Sequence, residues 1–95
     1  MSADAYSAPY VALVIAARSA AADAGSSAGC MHHMKLKIES ARQRLMTHDC
    51  KIPVPLRIRL DDELAQRYDA LGRVIAMRAM RDCVVRLSPA RAVAT

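Results

Sequence analysis

Leu56-Arg57-Ile58-Arg59-Leu60-Asp61-Asp62-Glu63-Leu64 is the most strongly patterned run of the chain. Its first five residues alternate apolar and cationic, and the next four resemble a helix start. With period two, Leu56, Ile58 and Leu60 share one face of a short strand, and Arg57 and Arg59 share the other. Asp61 then suits an N-cap, and Asp62 and Glu63 complement the positive end of the helix dipole. Just upstream, Pro53 and Pro55 end any incoming helix and bias their neighbours toward extended backbone. Prolines at the start of a strand place it at an edge or leave it a single partner. The sequence holds no second strand-like run, so a strand at 56–60 must pair with its twin in a second subunit. The expectation is a homodimer.

Outward from this stretch the spacing is helical. Met31, Met34, Ile38, Ala41 and Leu45 recur at three, four, three and four residues and form one apolar stripe. Lys35, Lys37, Glu39, Arg42, Gln43 and Arg44 fill the other face, with Glu39 in reach of Arg42 and Gln43. Downstream, Leu64, Tyr68, Leu71 and Ile75 keep a four-three-four spacing, and Ala76, Ala79, Met80, Cys83, Val84 and Leu87 extend an apolar face. Gly72-Arg73 offers a break between two helices, and Ser88-Pro89 a stop. At the other end, Ser7 and Pro9 precede an alanine-rich helix over Tyr10–Ala24, which Gly25 ends. Gly25-Ser26-Ser27-Ala28-Gly29 has the composition of a flexible linker. Residues 1–33 thus read as an alanine-rich leader helix with its linker. Residues 34–87 read as one basic helical domain containing the strand 56–60, and residues 88–95 as a disordered tail. The fold class is mainly α with one short strand, and the alternative is an all-α antiparallel helical bundle.

Taken together, Leu56–Gly72 resembles the first half of the ribbon-helix-helix DNA-binding proteins, the Arc, MetJ and CopG type. In that family a strand precedes two helices, strands of two chains pair antiparallel, and the ribbon enters the DNA major groove. Leu56, Ile58 and Leu60 match the family's inward set, and Arg57 and Arg59 its outward, base-contacting set. Leu64, Tyr68 and Leu71 match the first helix. Past Gly72 the sequence departs, with no Ser or Thr cap before Val74. Either the turn is tight, or 62–87 is one long helix. The resemblance implies a repressor or antitoxin-type regulator that binds double-stranded DNA as a homodimer. Arginine's planar fork suits guanine O6 and N7, so Arg57 and Arg59 would read bases. Arg67, Arg78 and Arg81 fall within about 60° of arc on one continuous helix, and with Arg73 would hold phosphates. Without DNA, the same sequence reads as a helical protein-interaction module for an acidic partner.

Charge agrees with a polyanionic partner of either kind. The net charge is +5, with residues 1–33 at −1 and residues 34–95 at +6. The core has little to build with beyond small aliphatics: nineteen alanines, three tyrosines, and no Phe or Trp. Such a small domain gains stability by association. Cys30, Cys50 and Cys83 are too widely spaced for a disulfide framework and fit a reducing cytoplasm. The apolar run Tyr10–Ala17 is far short of the ~20 residues that span a bilayer, so no membrane is expected. Cys30, His32, His33, His48 and Cys50 include soft and borderline metal ligands. They bracket a helix of roughly 20 Å, however, and no metal or other cofactor is expected. No phosphate loop, nucleophile motif or apolar carboxylate pair occurs, so the expected class is not an enzyme.

Overall fold

The longest helix of the chain starts just after Pro53, and the expected strand lies inside it. The structure, a computed structural model, describes the backbone of residues 3–94 and the side-chain surroundings of residues 5–84. It consists of three helices, α1 Ala3–Ala22, α2 Ala28–Leu45 and α3 Val54–Ala94, and no strand occurs among the described residues. The strand at 56–60, and with it the ribbon-helix-helix-like fold, is therefore corrected to an all-helical one.

The physical reason is a degeneracy of period. Leu56, Leu60 and Leu64 sit at i, i+4 and i+8, which fits one face of a helix as well as every second residue fits one face of a strand. Ile58 separates the two readings. A strand would bury it with Leu56 and Leu60, yet it is 58% exposed whereas Leu60 is 3% exposed. The prolines also act in the opposite sense. The carbonyl of Pro53 accepts hydrogen bonds from the amides of Leu56 at 3.1 Å and Arg57 at 3.0 Å. Pro55 occupies the first turn, where its missing N–H costs nothing and its fixed φ is already helical.

Helix α3 runs without interruption through Gly72-Arg73 and through Ser88-Pro89 to Ala94. Helix α2 starts earlier than its stripe suggests, because Ser27 caps it. Ser27 is extended (φ −76°, ψ 156°), and its Oγ accepts the amide of Cys30 at 3.0 Å. The expected linker is thus a short capped turn. Helix α1 begins at Ala3 and contains Pro9, which has no amide to donate to the preceding turn.

The helices form an up-down-up bundle. Arg42 of α2 meets Asp61 near the start of α3, Lys35 meets Tyr68, and Arg78 meets the α1–α2 turn. That sequence of contacts makes α2 antiparallel to α3. Helix α1 starts beside the α2–α3 turn and ends beside Arg78, parallel to α3. The core holds Met31, Ile38, Ala41 and Leu45 of α2 with Leu60, Leu64 and Leu71 of α3. Val14, Ala17 and Ala20 of α1 close it, so the alanine-rich segment belongs to the same core as residues 34–87. Its small side chains let α1 approach closely, and Ala17 is 1% exposed.

A helix of 41 residues is about 61 Å long, against about 30 Å for α1 and 27 Å for α2. The molecule extends 68 × 20 × 17 Å, and its radius of gyration is 18.0 Å. A compact chain of this length would have roughly 12 Å. The difference comes from α3, whose residues beyond Arg78 run past the ends of both shorter helices.

Candidate interaction surface

The six arginines singled out by sequence do not form one surface. Arg57 is turned inward, with Nη1 within 3.5 Å of the carbonyls of Leu45 and Thr47 at the end of α2. Arg78 is held in the same manner at the other pole. Its Nη1 donates to the carbonyl of Ser26, and Nη2 lies 3.2 Å from that of Asp23 and 3.5 Å from that of Ala24. Arg57 thus covers carbonyls at and just past the C-terminus of α2, where positive charge is favoured, and Arg78 ties together the turn between the end of α1 and the N-cap of α2. Arg67 is half-buried. The Nε atoms of Arg57 and Arg67 are buried without a hydrogen-bond partner among the described residues. Only Arg59, Arg73 and Arg81 of the six are exposed. Arg57 and Arg59 therefore do not point together as they would on a strand: one seals α2, and the other faces solvent.

Arg42, expected only as part of a polar helix face, supplies the interhelical ion pair. Its Nε is 2.8 Å from Oδ1 of Asp61, and Nη2 is 3.4 Å from Oδ2. That hydrogen bond raises the guanidinium's pKa above its ordinary value. Asp61, read as an N-cap, instead ties α3 to α2. Lys35 lies over the Tyr68 ring with Nζ 4.6 Å from its centroid, a cation–π contact across the same pair of helices.

The cysteine and histidine residues remain apart. Cys30, His32 and His33 lie in the first half of α2, whereas His48 and Cys50 lie in the turn beyond its end. Among the described residues, no three His, Cys, Asp or Glu side chains gather closely enough to hold a metal ion. The α2–α3 turn and the start of α1 enclose an open groove of about 380 Å³, lined by Tyr6, Tyr10, Arg44 and Lys51 among others. No helix of the structure is long and apolar enough to cross a membrane, among the described residues.

Exposed apolar side chains gather on distal α3, as Met46, Val54 and Ile58 do at the other pole. Met77 is 60% exposed, Met80 70% and Val84 60%. At about 100° per residue these three fall within about 60° of arc, on the side of α3 turned away from Leu60, Leu64 and Leu71. Arg73 and Arg81 flank them, both exposed. The sequence expected Ala76, Ala79, Met80, Cys83 and Val84 to pack inward, but all five are exposed. Met77 was absent from that expected face, although its three-then-four spacing to Met80 and Val84 was a signal for it. From residue 71 to 94 the helix carries five arginines against Asp82, a net charge of +4.

No family model, no curated protein and no solved structure matches the chain, so the ribbon-helix-helix resemblance rests on the residues of 56–72 alone.

Proposed function

We propose that this chain is a helical protein-interaction module, and that the distal half of α3 is the part that binds. The observation that carries this reading is the exposed Met77–Met80–Val84 stripe on a helix that outruns its own bundle. Long, flexible methionines on a helical stripe adapt to more than one partner surface, and clustered exposed apolar residues mark interaction sites. The arginines around the stripe set the chemistry of the partner: an amphipathic helix with an apolar seam and acidic flanks. Apolar burial supplies affinity, and the flanking charges supply selectivity and speed of encounter.

DNA loses the geometry that recommended it, because the ribbon is a helix and Arg57 and Arg78 are engaged within the bundle. The test is a titration of the labelled chain with an acidic Leu/Glu amphipathic peptide, with random duplex DNA and with anionic vesicles as parallel arms. The expected result is micromolar binding to the peptide, reduced at least tenfold in Met77→Ser/Met80→Ser with helix content unchanged. Equal peptide affinity in that variant, or stronger binding to duplex or vesicles than to peptide, overturns the proposal.

A further inference from the structure

The outer face of α3 carries a second pattern, which spans both halves of the helix. Ile58, Asp62, Asp69, Arg73, Met80 and Val84 are all exposed and lie within about 80° of arc, away from the bundle core. Their spacings are four, seven, four, seven and four. Repeats of eleven residues keep such a stripe nearly parallel to the axis of an undistorted helix, at 3.67 residues per turn.

The stripe is also symmetric in position about residue 71. Reflected through that point, Ile58 exchanges with Val84, Asp62 with Met80, and Asp69 with Arg73. Of the exposed charges, Asp69 and Arg73 exchange sign about the same point. Among the described residues of α3, the exposed charges before it are Asp62, Glu63 and Asp69 against Arg59, and those after it are Arg73 and Arg81 against Asp82. A surface whose apolar ends match and whose central Asp69 and Arg73 exchange about one point is complementary to itself there across a two-fold axis.

We infer that the resting occupant of the α3 face is the α3 face of a second copy of this chain, packed antiparallel with the two-fold axis near residue 71. Each Asp69 then meets the other copy's Arg73, and each Ile58 packs near the other copy's Val84. Each Asp62 lies opposite Met80, one residue from Arg81. Exposed Met80 and Val84 on the distal arm of α3 are backed by the start of the other α3. Helices α1 and α2 lie on the far side of α3 and do not obstruct the approach. A parallel dimer, or one joining the two arms alone, would set the net charge of +4 on residues 71–94 against itself. This inference rests on distal α3 being an interaction face. It adds that an acidic helix must displace the second copy to bind there.

The experiment is sedimentation equilibrium of the full chain from about 1 to 200 µM at low and high salt, with the acidic peptide titration run on the same proteins. The expected result is a monomer–dimer equilibrium that weakens with salt. Asp69→Arg should weaken it at least tenfold, and Asp69→Arg/Arg73→Asp should restore it to within about threefold. Both positions are exposed, so helix content should be unchanged in all variants. A chain that stays monomeric throughout, or dimers indifferent to Asp69→Arg, overturn the inference. If the monomeric chain still binds the peptide, the proposed function stands without it. A charge-dependent dimer that binds no peptide upholds the inference and removes the proposed function instead.

Discussion

Replacing Gly72 by alanine tests the continuity of α3 directly, because the two readings of this position give opposite signs. In a turn between two helices, the expectation behind the ribbon-helix-helix resemblance, glycine would supply a conformation that alanine resists. In the structure Gly72 is mid-helix, and none of the described glycines has a positive φ. Glycine inside a helix is roughly 0.8–1 kcal/mol less favourable than alanine, chiefly because it has more conformational freedom to lose. A Cβ at this position would meet Nζ of Lys35 at 3.8 Å, which is ordinary contact with the far end of a flexible side chain. The same ammonium sits over Tyr68, so the new methyl removes a little water from it and offsets part of the gain. The net expectation for Gly72→Ala is a stabilisation of about 0.5–1 kcal/mol, which raises Tm by about 2–8 °C for a domain of this size. Urea and thermal unfolding followed by circular dichroism at 222 nm read it out. A loss of about 1 kcal/mol or more would refute a continuous α3 at Gly72 and restore the turn.

Other substitutions separate the arginines that hold the bundle from those that do not. Arg78→Ala should cost about 1–2 kcal/mol in urea unfolding, by uncovering the carbonyls of Asp23, Ala24 and Ser26, whereas Arg73→Ala and Arg81→Ala should stay within about 0.5 kcal/mol. Leu64 is fully buried, so Leu64→Ala should cost about 2–5 kcal/mol, enough to leave so small a bundle partly unfolded by the same assay. A double-mutant cycle on Arg42 and Asp61 should give a coupling of about 0.5–1 kcal/mol, since Arg42 is partly solvated. Because its pKa is raised, the stabilisation from Arg42 is present below the unfolded value and lost only as pH rises through the higher folded one. Urea midpoints of wild type and Arg42→Ala should therefore keep a constant separation from about pH 7 to 11. Ala17→Asp should detach α1 from the bundle, seen as new dye-accessible apolar surface, because it buries a carboxylate where Ala17 is 1% exposed.

The helices were legible wherever a stripe was long enough to fix its period. Met31, Ile38, Ala41 and Leu45 are buried as their spacing requires, and Leu64 and Leu71 likewise. Five residues at 56–60 were too few, because leucines four residues apart, about one helical turn, satisfy both periods, and only the exposure of Ile58 distinguishes them. The same shortness misled the reading of Pro53 and Pro55, which end one helix and begin another with equal propriety. The surface was less legible still. Arginines are drawn alike by sequence, yet Arg57 serves the end of α2, 12 residues away, and Arg78 the α1–α2 turn, 52 residues away. Apolar residues spaced for a core say nothing about whether a core is there to receive them. Met80 and Val84 have that spacing and face water, since they lie on the side of α3 turned away from α1 and α2.

This last mismatch joins the fold to the proposed function. Beyond Arg78 the helix continues for 16 residues, about 24 Å, and among the described residues there Met80 and Val84 remain exposed. An isolated helix of that length would be marginal in water. Here α3 is already nucleated by the bundle, so the arm needs only propagation, and Ala79, Met80 and Arg81 are good helix formers. The arm is thus the part of the fold held by the smallest margin, and it carries the largest exposed side chains of the distal stripe. Burying even two of Met77, Met80 and Val84 against another helix would contribute about 3–5 kcal/mol before ordering costs. That is comparable to the whole stability expected of so small a core. Association on this face therefore stabilises the arm and the bundle through one helix, and loosening the bundle at Arg78 should weaken association in turn.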